Sequence, residues 1–399
     1  MNILIFNCGS SSQGFKLFRS GPDGQNDVLI GGKAKNVGTK TKTQPYLEWQ
    51  VGAEQEKRAG RFPDHASAAR EILSLLAEKR LAIDAIGHRF VHGGESFNKS
   101  TLIDQAALAA LKASFPLAPI HNPNSYSVIE VCSSALPETP QYAVFDTAFH
   151  AGLPDSARTY ALPVTLAKKY GYRKYGFHGL SYQYVSARAA VRLKRRLETL
   201  KLIICHLGTG GSSVAAIQNG HSVQTSMGYS PLAGLVMSTR CGDLDPEIVL
   251  DLGRQGYSVE EIGRILNQES GLLGLSGGFS SNLEEIINEA EKGNLTCQTA
   301  FNVYIDRLRF YLGAYTWILN RADAIIFTDD VGVNSWKCRQ TVCSGVENMG
   351  IQLDDRANRQ AGPGRETCIS LPDSPTQVWV IPNDEESVIL DEVIQLIKG

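Results

Sequence analysis

The sequence lacks the features that several functional classes require. Its eight cysteines form no Cys-x-x-Cys pair and show no metal-type spacing beside histidine, and a chain of 399 residues does not need disulfide bonds, so neither a zinc site nor a disulfide framework is expected. The formal net charge of −2 indicates no general affinity for nucleic acid or membranes. The N-terminal apolar run is far too short for a signal peptide or a membrane span. We therefore expect a soluble, cytoplasmic protein without nucleic-acid or membrane partners.

Two glycine- and serine-rich turns, each between apolar segments, are the most informative feature of the chain. They lie in CGSSSQG, within residues 3–18, and in LGTGGSS, within residues 203–217. Glycines permit a tight turn whose N–H groups point outward, and small hydroxyls add donors, so each pattern predicts a hairpin suited to an anionic phosphate. A plain surface turn is the alternative for either one. Their occurrence twice suggests a duplicated, two-domain phosphotransferase.

Four clusters of polar residues lie between the two turns. They are HRFVHGGE at 88–95, PIHNPN at 119–124, VFDTAFH at 144–150 and YGFHG at 175–179. Each cluster falls at a predicted strand end or turn and carries arginine, histidine, aspartate or asparagine. Folding alone does not require so many of these side chains in so short a stretch, so the clusters indicate a functional site.

Helix and strand patterns alternate along the whole chain, which predicts an α/β protein. Asp64 and Asp104 can each cap a helix, and Asn122 followed by Pro123 predicts the N-cap and first residue of another. Strands are predicted at 142–145, 323–328 and 378–382, and helices near 180–199, 245–256, 258–268, 282–292, 297–320 and 385–398. The length exceeds what one core usually organises, so two domains are expected.

Eight motifs, in order from residue 7 to residue 386, resemble those of the acetate kinase family. They are NCGSSS, HRFVHGGE, PLAPIHNP, FDTAFH, YGFHG, TSMGYSPLAGL, TRCGDLDP and VIPNDEE. The resemblance implies two duplicated ribonuclease-H-like domains of the actin and sugar-kinase superfamily, with the active site in a cleft between them. It places the N-terminal domain at 1–148, completed by the C-terminal helix 384–399, and a second domain with the phosphoryl-donor site at 149–383. It also implies a homodimer.

The same resemblance assigns the chemistry of the charged residues. It implies reversible, Mg²⁺-dependent phosphoryl transfer between ATP and acetate, and it identifies Arg89, His121, Asp146, His178 and Arg240 as catalytic. Phosphoryl transfer depends mainly on positioning and on neutralising charge, which arginine forks and imidazole donors can supply. The alternatives are a surface ion pair for either arginine and a structural role for either histidine.

Metal binding and acyl binding are also implied by the resemblance. Asn7 and Glu385, together with Asp146, match the family's residues near Mg²⁺ (or Mn²⁺), a hard ion that prefers oxygen ligands. Asp146 can alternatively cap a helix, and Glu385 can simply favour the first turn of the last helix. Arg89 is expected to hold the substrate carboxylate. The walls of the acyl pocket are expected to be Val91, Ile120 and Pro231, and core packing is the alternative for the first two.

The phosphoryl-donor site is where the sequence departs from the family pattern. The residues expected to bind the phosphates or the nucleotide are Ser10, Ser12, His206, Gly208, Thr209, Gly210, Gly211, Asp330, Val331, Gly332 and Asn334. Thr209 replaces an asparagine of the family, and Asp329 and Asp330 replace two glycines of the turn expected beside the adenosine. Aspartate adds bulk and negative charge there. The two aspartates either narrow this pocket or point to solvent.

Three functions remain open from the sequence. The first is an acetate kinase that uses ATP and ADP. The second is an acetate kinase whose phosphoryl donor or acceptor is pyrophosphate or orthophosphate, motivated by the two aspartates. The third is a noncatalytic relative that binds a metabolite or a protein.

Overall fold

The computed structural model describes residues 1–21, 24–39 and 44–399. Its contacts divide the chain into two compact units. The first unit consists of Met1–Phe149 and Asp384–Gly399, and the second of His150–Asn383. Each unit contains one β-sheet with helices packed against it.

The strands of the first unit are β1 Asn2–Cys8, β2 Ser12–Ser20, β3 Asn26–Lys35, β4 Tyr46–Val51, β5 Glu54–Ala59, β6 Ala85–Phe90, β7 Thr101–Leu102 and β8 Gln141–Phe145. Those of the second unit are β9 Lys201–Leu207, β10 Ser212–Gln218, β11 His221–Thr225, β12 Ala324–Thr328, β13 Thr367–Cys368 and β14 Gln377–Val380.

The helices are α1 His65–Glu78, α2 Gln105–Ala113, α3 Asn122–Ala135, α4 Asp155–Arg158, α5 Val164–Tyr170, α6 Gly179–Leu193, α7 Pro246–Arg254, α8 Val259–Arg264, α9 Gly271–Leu275, α10 Leu283–Glu291, α11 Leu295–Leu319, α12 Asp329–Asn334, α13 Trp336–Cys343, α14 Asp355–Gln360 and α15 Glu385–Lys398. A π-helical turn, Ile265–Glu269, follows α8. Among the described residues, no helix has both the length and the apolar character needed to cross a membrane.

The two sheets repeat one topology. In the first sheet, β3, β2 and β1 are antiparallel neighbours, β6 and β8 continue in parallel, and β7 closes the edge in antiparallel pairing. In the second sheet, β11, β10, β9, β12, β14 and β13 follow the same order and directions. The first sheet adds β4 and β5 beyond β3. This repeat confirms the predicted α/β fold with two duplicated ribonuclease-H-like domains.

Each unit has its own hydrophobic core. In the first unit, the inward residues of β1 and β2 pack against α1 and α3, as with Leu4, Phe6 and Ile72. In the second unit, residues of β9 and β12 pack against the long helix α11, as with Cys205 and Phe327. The parallel strands β9 and β12 each contain a continuous apolar run, residues 202–205 and 324–327, as expected where both faces of a strand are buried. The carboxyl ends of β9 and β12 lead into segments that contain predicted site residues.

Both predicted hairpins are confirmed, as β1–β2 and as β9–β10. Asp64 and Asp104 cap α1 and α2 through their side chains, as predicted. The prediction that Asn122 is an N-cap is wrong, because α3 starts one residue earlier and its N-cap is His121. The Asn122 amide instead donates to the His92 carbonyl oxygen at 3.0 Å and to Ser114 Oγ at 2.9 Å. These tertiary bonds use the side chain that would have capped the helix.

Two other boundaries differ from the sequence-based expectation. The helix predicted near 180–199 ends at Leu193, because Lys194 has a left-handed conformation and closes it. The segment Asp329–Asn334, expected as a turn, is the short helix α12. It begins directly after the buried strand β12, so its first two residues are presented at the carboxyl edge of the second sheet.

Candidate active site

In the first unit, a guanidinium and a buried carboxylate pair at the ends of two parallel strands. Arg89 lies near the end of β6, and Asp146 directly follows β8, its neighbour in the sheet. Arg89 donates through Nε to Asp146 Oδ1 at 2.9 Å and through Nη2 to Oδ2 at 2.6 Å. The Asp146 side chain is 1% exposed and that of Arg89 15% exposed. The contact is therefore a shielded, bidentate ion pair rather than a surface one.

The other two residues expected near the metal lie beside this pair. Arg89 Nη1 donates to Asn7 Oδ1 at 3.1 Å and lies 3.6 Å from Glu385 Oε2. The Asn7 amide donates in turn to Glu385 Oε2 at 3.2 Å. Burial alone would lower the pKa of Arg89, but the carboxylates of Asp146 and Glu385 outweigh burial and raise that pKa above its ordinary value. The structure thus brings Asn7, Arg89, Asp146 and Glu385 together.

This group has the donor chemistry that a hard divalent cation requires. Lys16 adds a second cation, which contacts Asp384 at 3.0 Å and Glu386 at 3.4 Å. Four carboxylates and two cations meet here, namely Asp146, Asp384, Glu385 and Glu386 with Arg89 and Lys16. Among the described residues, no cluster of three or more aspartate, glutamate, histidine or cysteine side chains is placed to hold a metal ion. Asp146 and Glu385 nevertheless supply oxygen donors that suit Mg²⁺, which takes one or two carboxylates and otherwise keeps water or phosphate oxygens.

In the second unit, two histidines stack beside the β9–β10 hairpin. The rings of His178 and His206 lie with centroids 4.0 Å apart at an interplanar angle of 25°. Ser213 Oγ lies 2.8 Å from His178 Nδ1, and Ser181 Oγ lies 2.8 Å from His206 Nδ1. His178 itself has a left-handed backbone with φ of +60° at the N-cap of α6. A non-glycine residue held in this region is typical of a functional position.

A tyrosine lies beside the serine that contacts His178. The hydroxyl of Tyr182 is 2.5 Å from Ser213 Oγ, and burial raises the pKa of Tyr182, so the phenol keeps its proton. When Tyr182 donates to Ser213, the serine proton is directed to Nδ1 of His178. The ring proton of neutral His178 is then on Nε2.

Arg240 approaches the same hairpin without a carboxylate partner. A Cβ on Gly211 would lie 3.4 Å from Arg240 Nη1 and 3.5 Å from His178 Nε2, so both groups border the end of the turn. Arg240 Nη1 donates to the Pro231 carbonyl oxygen at 3.5 Å, and in the part of the chain that the structure describes it forms no ion pair. Burial lowers the pKa of Arg240. A partly buried cation of this kind is costly unless a ligand supplies the missing anion.

The turn of the second hairpin is closed by its own hydrogen bonds. Gly208 N–H donates to Gly211 O at 3.2 Å, and Gly211 N–H donates to Gly208 O at 3.3 Å. Thr209 donates to the carboxylate of Asp330 twice, from N–H at 2.8 Å and from Oγ1 at 2.6 Å. The expectation that the backbone N–H groups of this turn point outward to an anion therefore needs correction, because a side chain of the protein already accepts from Thr209.

Asp329 occupies the opposite side of this turn. Its Oδ2 lies 3.1 Å from His206 Nε2, and a Cβ on Gly208 would overlap with the Asp329 carboxylate. Gly208 is thus required by close approach. Asp329 has a left-handed φ of +63°, the conformation for which glycine is the usual residue. Of the two alternatives for the aspartates, the structure supports contact with the hairpin rather than projection into solvent.

The remaining predicted residues are distributed around these groups. Val91 is buried in the core of the first unit, whereas Ile120 is 52% exposed and adjoins His121, the N-cap of α3. Ser10 lies in the exposed turn of the first hairpin, and Ser12 begins β2. The other residues lie in the second unit. Pro231 contacts Arg240, and Gly210 lies in the hairpin turn. Val331, Gly332 and Asn334 lie on α12. Sequence reasoning did not identify Lys16, Ser213 or Glu386.

The chain matches the model of the acetokinase family over residues 2–391. It is 43% identical over 406 residues to an acetate kinase of Thermotoga maritima, an alignment covering 100% of this chain and 99% of that one. Among solved structures, it is similar to acetate kinase from Entamoeba histolytica, with a TM-score of 0.89, 42% identity and full coverage of both chains. It is also similar to a propionate kinase from Francisella tularensis, with a TM-score of 0.88, 36% identity and 98% coverage of each.

Proposed function

The chain belongs to the acetokinase family, and from this premise we propose that it transfers a phosphoryl group reversibly between ATP and acetate, giving acetyl phosphate and ADP. It is a phosphotransferase with a carboxyl group as acceptor. The observation that carries the proposal is that Arg240, which forms no ion pair among the described residues, lies beside Nε2 of His178 at a Gly/Ser hairpin. A cation without an anion at such a turn suits a transferring phosphoryl group, which carries charge on three oxygens.

The second unit is proposed to hold the phosphoryl donor. Arg240 neutralises charge on the transferring group, and the guanidinium needs no rearrangement because it already lies at the turn. His178 is proposed to donate a hydrogen bond from Nε2, the nitrogen that carries the ring proton when Tyr182 donates to Ser213 and Ser213 donates to Nδ1. In the forward direction, an acetate oxygen forms a bond to the γ-phosphorus while the bond from that phosphorus to the bridging oxygen of ADP breaks.

The first unit is proposed to hold the metal and the acid. Asp146, Glu385 and Asn7 would hold Mg²⁺, which, when bound, neutralises phosphate charge. Arg89 fixes the Asp146 carboxylate through its fork and presents its remaining N–H groups to the substrate carboxylate. His121 would donate to the phosphoryl group. The apolar side chains of Val91 and Ile120 would contact the methyl group, and one added methylene changes binding by only about 1–3 kcal/mol, so propionate should also react.

Steady-state kinetics with the purified protein test this function. Acetate and Mg·ATP should give acetyl phosphate, trapped as the hydroxamate, together with one ADP for each acetyl phosphate. Propionate in place of acetate should retain activity, and omission of the divalent cation should abolish it. A protein that hydrolyses ATP equally well without any carboxylic acid, or that forms no acyl phosphate, would contradict the proposal.

A homodimer formed through α11 is proposed as the assembly. Two aromatic residues seven positions apart lie on one face of this helix, with Trp317 89% and Phe310 65% exposed. The residues of α11 that pack into the core, such as Leu308 and Tyr315, lie elsewhere on the helix. A second copy of the chain would cover this exposed aromatic face.

Trp317→Glu should convert the protein to a monomer, because a charge would be buried in the proposed interface. Light scattering coupled to size-exclusion chromatography measures the mass directly. Val191→Glu is the matched control, since Val191 is also exposed, on α6, and its replacement adds the same charge. The control should keep the mass of the wild type. A wild-type protein that is already monomeric at micromolar concentration would refute the dimer.

A further inference from the structure

The turn of the β9–β10 hairpin already holds an anion that belongs to the protein. The carboxylate of Asp330 accepts from Thr209 N–H, from Thr209 Oγ1 and from Val331 N–H, at 2.8, 2.6 and 2.8 Å. These are the donors that a phosphate oxygen would use at a Gly/Ser turn. A carboxylate and a phosphate present similar acceptor oxygens, so each can occupy the place of the other.

The carboxylate is held at the turn by a rigid platform. Asp330 lies on α12, and the buried side chain of Arg339 donates from Nη1 to the carbonyl oxygens of Gly332 and Val333, each at 2.8 Å. Arg339 is 0% exposed and also donates to Asn358 Oδ1 at 2.8 Å. The backbone of α12 is therefore fixed to the core of the second unit.

The partners of this contact come from two distant parts of the sequence. Thr209 and Asp330 both depart from the family pattern, and the structure shows that they bond to each other. Threonine supplies a hydroxyl donor, and aspartate supplies two acceptor oxygens, so the two departures form one chemical unit. Asp329 places a second carboxylate nearby, beside the neighbouring His206.

We propose that Asp330 is a specificity-determining residue that competes with the phosphate chain of the nucleotide for Thr209. The inference rests on the proposed function for the identity of that nucleotide. A nucleotide phosphate binds the turn only after the Asp330 carboxylate has left Thr209, and it then meets the like charge of the displaced side chain. The contact thereby weakens binding of the phosphate chain of ADP and ATP, without affecting the acid.

The test compares wild type with Asp330→Ala, which removes both charge and acceptor, and with Asp330→Asn, which removes the charge but keeps one acceptor oxygen. We expect the KM for Mg·ADP to fall about tenfold in Asp330→Ala, which corresponds to about 1.4 kcal/mol. Asp330→Asn should give a smaller decrease. The KM for acetyl phosphate should not change in either variant. Asp251→Ala, which removes an exposed carboxylate on α7, is the control for net charge and should leave both constants unchanged.

Titration calorimetry gives a readout that does not depend on turnover. Inorganic phosphate and Mg·ADP are titrated into each protein, and both should bind more tightly to Asp330→Ala than to wild type. Thermal unfolding verifies that the variant is folded. If the wild type lacks nucleotide-dependent activity, the proposed function fails, yet the phosphate titration still tests the inference. An unchanged or weakened affinity in folded Asp330→Ala, or no phosphate binding to either protein, overturns it.

Discussion

Replacement of Arg240 by alanine should lower kcat by about a hundredfold or more. The guanidinium lies at the hairpin turn beside His178 Nε2, and burial without a carboxylate partner makes it available to neutralise a phosphoryl group. Preorganised charge of this kind stabilises a transition state by several kcal/mol, about 3 kcal/mol for a hundredfold effect. Discontinuous or coupled assays at saturating acetate and Mg·ATP measure the change in kcat.

A matched variant separates this effect from the loss of any arginine. Arg254→Ala removes an exposed arginine of α7 that pairs with Glu247, in the same unit. It should keep the kcat of the wild type. Because Arg240 forms no ion pair with the residues that the structure describes, Arg240→Ala should also remain folded, with little change in its unfolding midpoint. A kcat within a few-fold of wild type in Arg240→Ala would refute the role assigned to this residue.

Replacement of Arg89 by alanine should have two effects. The KM for acetate should rise at least as strongly as kcat falls, because the role proposed for this residue is to hold the substrate carboxylate. The protein should also lose about 3 kcal/mol of unfolding free energy, because Asp146, 1% exposed, would keep a buried charge without its partner. Urea unfolding and steady-state kinetics measure the two effects separately.

The double variant Arg89→Ala with Asp146→Asn tests the cause of the instability. The neutral amide removes the unpaired charge, so much of the lost stability should return while activity stays low. Arg58→Ala is the control for a surface arginine, since its partners Glu71 and Glu78 are largely exposed, and its urea midpoint should be nearly that of the wild type. Full stability of Arg89→Ala would show that the fork to Asp146 contributes nothing to folding.

Local patterns in the sequence predicted much of the fold. The two Gly/Ser hairpins and the caps at Asp64 and Asp104 all depend on residues within a few positions of each other. The apolar runs of β8 and β12 likewise predicted buried strands. Such features are encoded by neighbouring residues, so a single sequence is sufficient to recognise them.

Contacts between residues that are far apart in the sequence could not be predicted from such local patterns. The Asn122 side chain was expected to cap a helix, but it bonds to His92 and Ser114 across the first unit. The sequence identified Asp330 as unusual, yet its bond to Thr209 joins residues 121 positions apart. The competition between local and tertiary partners for one polar side chain is decided by packing, which a sequence pattern does not contain.

The ³¹P NMR spectrum of acetyl phosphate incubated with the wild-type protein and Mg²⁺ tests the central claim most directly. With ADP present, the acetyl phosphate resonance should disappear while the three resonances of ATP grow in equal amount. With orthophosphate in place of ADP, the spectrum should stay unchanged. Conversion of acetyl phosphate and orthophosphate to pyrophosphate, with no ATP formed from ADP, would contradict the account.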